Sequence, residues 1–128
     1  LPYLALRPGC FIPMDEMDPQ FGFGLLSHRV HRADVVRAHV LALRSDAANE
    51  AIVITPQSPF GAEDAAALAA DPPAVIRERF PQVARLEQQG ARLPDSIRTF
   101  YSIERAKDIL GYRPQWNFPD WLEKKLSS

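Results

Sequence analysis

Apolar residues in this chain come in short runs that prolines and glycines keep interrupting. Tyr3-Leu4-Ala5-Leu6-Arg7 is stopped by Pro8-Gly9 and predicts a short buried strand over residues 3–7. Residues 12–25 hold two prolines, two glycines, three acids and two phenylalanines, which reads as a loop with aromatic anchors. Residues 26–31 fit a second short strand. From Asp34 to Ser45 the period becomes helical. Val36, Val40 and Leu43 fall on one face, which is expected to meet the core. Asp34 stands at the N-cap or in the first turn, where a carboxylate meets unsatisfied N–H groups and the positive end of the helix dipole. Ala51-Ile52-Val53-Ile54-Thr55 is an uninterrupted β-rich run ended by Pro56. Being apolar on both faces, it predicts a parallel strand covered by the helix from Asp34 on one side and a helix from Asp64 on the other.

Asp64 to Ala70 predicts a helix whose inner face is Ala65, Leu68 and Ala69. Pro73 to Gln89 predicts another, with Pro73 in its first turn and Pro81 kinking or dividing it. Ile97 to Tyr101 reads as extended. Ser102 is the N-cap candidate of a helix that ends at Leu110, with Gly111 just beyond it as the left-handed cap. Pro114 and Pro119 frame a mostly extended tail, whose Trp116, Phe118 and Trp121 are expected to clasp back onto the domain. Strand, helix, strand and then several helices give an α/β class. Two parallel strands cannot complete a doubly wound sheet. Together with the opening at Leu1 inside an apolar run, this leads us to expect further strands upstream or from a partner.

With 128 residues the chain supports one compact domain. A net charge of −1 gives no electrostatic footprint for nucleic acid or an anionic membrane surface. No apolar run approaches the roughly 20 residues that span a bilayer. Cys10 is alone, which excludes an internal disulfide and is compatible with a reducing compartment. With no secretory signal to be seen, the expected location is the cytoplasm. No metal site is expected from His28, His31 and His39. The first two are three apart on a predicted strand, and no acid is placed with them.

Three stretches, in this order and spacing, resemble the extended short-chain dehydrogenase/reductases, the NAD-dependent epimerase/dehydratase family. Leu6-Arg7-Pro8-Gly9 resembles the strand end that follows the catalytic tyrosine helix. Val30-His31-Arg32-Ala33-Asp34-Val35-Val36-Arg37-Ala38 resembles the family's Val-His-Val-Asp-Asp-Val-Ala-Arg-Ala segment. Tyr101 to Lys107 with Ile109-Leu110-Gly111-Tyr112-Arg113-Pro114 resembles its C-terminal Leu-Gly-Trp/Tyr-x-Pro signature.

The resemblance covers almost the whole chain. It implies the C-terminal part of a Rossmann-like doubly wound fold with a small substrate-binding subdomain. The parent enzyme would move a hydride between NAD or NADP and a sugar-type or nucleotide-sugar substrate. The alternative is a non-catalytic relative that senses a nucleotide or binds a protein. By the same resemblance, Pro8, Gly9, Cys10 and Phe11 lie near the cofactor's reactive end, and backbone groups do most of the work there. Arg29, His31 and Arg113 lie toward the substrate, Arg29 being the best candidate for a diphosphate or carboxylate. A homo-oligomer is the implied assembly. Two family essentials are absent from these 128 residues. No glycine-rich phosphate turn is present, since Phe21-Gly22-Phe23-Gly24 has only two glycines. No tyrosine is followed four residues later by lysine: those positions hold Arg7, Arg105 and Trp116. No catalytic residue is therefore assigned. The interval from Gly9 to Val30 is short, which resembles smaller members such as uronate dehydrogenases. The position of their substrate arginine is occupied here by Gly24.

Overall fold

The computed structural model describes residues 1–127. Strand β1 (Leu4–Pro8) pairs in parallel with strand β2 (Glu50–Ile54), with Leu4 opposite Glu50 and Pro8 opposite Ile54. The connection between them carries helix α1 (Pro19–Gly24) and helix α2 (Arg32–Leu43). After β2 come a single 3-10 turn (Ala62–Asp64) and then α3 (Ala65–Ala70), α4 (Pro72–Arg79), α5 (Val83–Gln88), α6 (Glu104–Leu110) and α7 (Phe118–Leu126). This is a mixed α/β arrangement around a two-stranded parallel sheet.

Two apolar cores hold it together. The first lies on one face of the sheet, where Ile52 and Ile54 meet Ala38 of α2 and Ile103, Ala106, Leu110 and Tyr112 around α6. The second contains no strand residue: Phe21, Phe23 and Leu26 around α1 meet Leu68, Ile76, Leu86 and the tail residues Phe118 and Trp121. Arg105 and Glu50 add an ion pair between α6 and β2.

The sequence locates most elements but misorients several. Helix α2 does not turn Val36, Val40 and Leu43 inward; they are 61%, 38% and 87% exposed. Val35 and Ala38 are buried instead, and the methyl side chain of Ala38 lets the helix sit close to the sheet. Helical spacing picks out a stripe but does not choose between two that compete. The sheet has one covered face, not two. Ile52 and Ile54 are fully buried, whereas Ala51 is exposed and Val53 half-buried, because α3 packs beside α4 and not on the sheet. On α3 only Leu68 is buried; Ala65 and Ala69 face solvent.

Residues 12–25 are a loop only as far as Asp18, whose carboxylate accepts from the Gln20 N–H and starts α1 with Pro19 in its first turn. Residues 26–31 make a single bridge, Cys10 to Arg29, in place of a strand. Ile97 to Tyr101 is irregular, with Ile97 buried. Pro81 does divide the helical stretch, between α4 and α5. Gly111 adopts the left-handed conformation, φ 69°, and ends α6. The N-cap of that helix is Ile103 and not Ser102, although Ser102 Oγ, one residue earlier, accepts from the Glu104 N–H at 3.2 Å. The tail clasps as expected, but as helix α7, with Trp121 wholly buried.

Candidate functional site

Past Pro8 the chain runs beside the end of β2 and then onto residues 28–30. The Gly9 N–H donates to Ile54 O at 3.0 Å, the Cys10 N–H to His28 O at 2.7 Å, and the Val30 N–H to Cys10 O at 3.0 Å. A Cβ on Gly9 would stand 2.5 Å from His28 O, so only glycine allows this approach. These bonds draw Pro8, Gly9, Cys10, Phe11, Arg29 and His31 together at the carboxyl end of the strands, where open α/β sheets hold their ligands.

Arg29 and His31 are also engaged within the fold. Arg29 Nη1 donates to Ile12 O at 3.1 Å, and its guanidinium carbon lies 5.9 Å from the centre of the Phe21 ring. His31 caps α2: its Nδ1 accepts from the Ala33 N–H at 3.0 Å, and its Nε2 lies 2.8 Å from Glu16 Oε2. The imidazole stacks on Trp116, with centroids 3.9 Å apart and planes 7° apart. Asp34, assigned to the cap or first turn by sequence, is in the first turn. Its buried carboxylate accepts from the Gln115 and Trp116 N–H groups, both at 3.0 Å, and pairs with Arg37 at 2.8 Å. Burial, and then the Asp34 charge, push the Tyr112 phenol upward from its ordinary range, and its hydroxyl donates to Thr55 O at 3.0 Å. Arg113 is exposed and makes no side-chain hydrogen bond or ion pair among the described residues. The structure does not bring it to Arg29 or His31 through any contact.

Beside this cluster, between α1 and the loop of residues 90–99, opens a cavity of about 760 Å³. That is within the roughly 300–1,000 Å³ of ordinary ligand pockets. Phe23 and Leu93 give it apolar lining, Ser27 and His28 give it polar groups, and the arginines Arg92 and Arg98 share the lining with the acids Asp18 and Asp95. Arg92 lies 3.7 Å from Asp95 with both side chains well exposed, so the pair holds the arginine weakly. The sequence reading missed Arg92 and Arg98. They stand in an aperiodic loop, and the only signal there was two arginines within seven residues of a glycine-proline segment.

A dinucleotide fits these residues poorly. Its pyrophosphate needs free backbone N–H groups at a glycine turn, and those of Gly9 and Cys10 are already spent on Ile54 and His28. Gly22 lies buried against Trp121. Of the four residues expected at the cofactor, Phe11 keeps an exposed side chain. Among the described residues no group of three or more His, Cys, Asp or Glu is placed to hold a metal. No described helix is long and apolar enough to cross a membrane. No family model, curated protein or solved structure matches the chain.

Proposed function

We propose that this chain is the substrate-binding portion of an NAD(P)-dependent epimerase/dehydratase or sugar dehydrogenase of the extended short-chain type. The observation that carries the reading is convergence. Leu6 to Gly9 and Val30 to Asp34 meet at the carboxyl end of a parallel strand pair, next to a ligand-sized cavity lined in part by Arg92 and Arg98. Asp34 ties this cluster to Gln115 and Trp116, just past the C-terminal Leu-Gly-Tyr-x-Pro segment.

In this reading the sugar-type substrate sits in the cavity. Arg98 and Arg92 hold its carboxylate or phosphate through charge-assisted bonds, with His28 and Ser27 at its hydroxyls. Arg29 shapes the adjoining loop through Ile12 O. Nicotinamide, when bound, supplies the hydride acceptor. The Gly9 and Cys10 N–H groups, already bonded within the fold, would not hold its pyrophosphate, and Pro8 to Phe11 would contribute a wall near its reactive end. The free edge of β1 takes a further strand, from upstream sequence or a second copy of the chain.

The test is expression of the complete reading frame, followed by reduced-nicotinamide absorbance with NAD or NADP. The substrates are a panel of sugar acids, free sugars and nucleoside-diphosphate sugars. Turnover with one class is expected, with Arg98→Ala raising KM roughly tenfold or more at unchanged thermal stability. A folded protein with no turnover across the panel defeats the enzyme reading. The absence of both a glycine-rich turn and Tyr-x-x-x-Lys from these residues favours one second reading, a non-catalytic relative. Tight binding of a nucleotide or sugar ligand without hydride transfer would establish it.

A further inference from the structure

His31 has four engagements at once, and one of them works in a single protonation state. A backbone N–H can only donate, so the 3.0 Å contact from Ala33 requires a lone pair on Nδ1 and puts the ring proton on Nε2, facing Glu16 Oε2 at 2.8 Å. The side chain is only 11% exposed, with the ring stacked on Trp116 and edge-on to Phe21. It therefore joins three segments: the loop that leads into α1, the first turn of α2, and the tail before α7.

We propose that His31 is a pH-sensitive latch, whose neutral imidazole caps α2 and whose second proton opens that cap. Protonation replaces the Nδ1 lone pair with an N–H that faces the Ala33 N–H and the positive end of a helix of 12 residues. The cap bond is lost and a like-charged contact takes its place. Charged groups around the ring act in both directions. Glu16 on the loop favours the imidazolium, as does the more distant carboxylate of Asp34, which already holds Arg37 and two N–H groups. Arg32 next in the chain opposes it. So do Arg29, over the Phe21 ring, and Lys124 of α7, whose Nζ stands 5.0 Å from the centre of the same Trp116 indole. In acid the ring keeps Glu16 as a partner, so the loop stays tied while the start of α2 frays and the Trp116 stack is disturbed. This is independent of any substrate, and it stands or falls apart from the enzymatic reading.

The experiment is a titration of the full protein between about pH 8 and 5. The readouts are exchange of the Ala33 amide by NMR and tryptophan fluorescence. The wild-type protection factor of the Ala33 amide, its observed exchange rate compared with the unstructured rate at the same pH, should fall in acid by roughly fivefold or more, with a fluorescence change over the same pH range. In His31→Asn, which caps a helix in any protonation state, both changes should vanish while the protein stays folded. Glu16→Gln, which leaves the Nδ1 cap intact, should keep the transition. His28→Gln and His39→Gln should leave it in place. Persistence of the transition in His31→Asn, or a wild-type Ala33 protection factor that is the same at both ends of the range, overturns the proposal.

Discussion

Asp34 anchors the tail, while His31 holds the cap of α2. Its carboxylate, with no exposed surface, is the acceptor for two backbone N–H groups more than 80 residues further on. Asp34→Ala should therefore cost about 2–4 kcal/mol, more than the roughly 1 kcal/mol of a lost cap, because it strands Gln115 and Trp116 as donors. Asp34→Asn, which keeps one acceptor oxygen, should cost about half as much. Urea denaturation measures both, and a loss under about 1 kcal/mol for the alanine variant would contradict this account.

Tyr112, against the same carboxylate, sets a limit in alkali. Burial and then Asp34 raise its phenol above the unfolded value of about 10. A raised folded value favours the neutral form, so its contribution is complete below about pH 10 and is lost as pH rises above that. Tyr112→Phe should lose about 1 kcal/mol at neutral pH, with the bond to Thr55 O gone, and should show a shallower alkaline decline. Denaturation midpoints measured from about pH 8 to 11 decide it; identical alkaline slopes would sink the claim.

At the scale of elements, two glycines have opposite reasons. A Cβ on Gly22 of α1 would lie 2.3 Å from the Trp121 ring of α7, so this residue sets how closely the two helices approach. At Gly111 a Cβ would meet nothing within 4 Å, and only the φ of 69° calls for glycine. Gly22→Ala should cost about 1–3 kcal/mol by overpacking and change the fluorescence of Trp121. Gly111→Ala should cost about 1 kcal/mol and leave the fluorescence unchanged. A Gly22→Ala protein with wild-type melting and emission would mean that α1 and α7 are not locked together. The C-terminal glycine was legible in the sequence because it closes a local signal, an apolar-periodic helix followed by Gly. The role of Gly22 was not, because its partner is 99 residues away and nothing in a Phe-Gly-Phe-Gly stretch names it.

At the scale of the whole molecule, apolar surface is left open. Val36 and Leu43 on α2 are 61% and 87% exposed, and β1 has a hydrogen-bonded neighbour on one edge only among the described residues. Exposed apolar stripes and open edges both favour association. The double substitution Val36→Lys with Leu43→Glu should leave folding stability within about 0.5 kcal/mol, since neither side chain supports the core. It should also lower self-association in sedimentation velocity. A loss above about 1 kcal/mol would show that this face is packed after all, and unchanged association would place the contact elsewhere.

The sequence by itself determined what neighbouring residues decide: the β2 run, the break at Pro81, the left-handed end of α6 at Gly111 and the aromatic tail that must find a core. These follow from backbone restriction and short-range periodicity, which a handful of residues encode. The gathering of Pro8 to Phe11 with Arg29 and His31 comes from the bonds of Gly9, Cys10 and Val30 in the folded chain. Only the tertiary structure decided which stripe of α2 is inner, that His31 and not Asp34 caps it, and that Arg92 and Arg98 border a cavity with His28. Each of these depends on contacts between residues tens of positions apart, where the energy of close packing and of satisfying buried polar groups chooses between locally equivalent options.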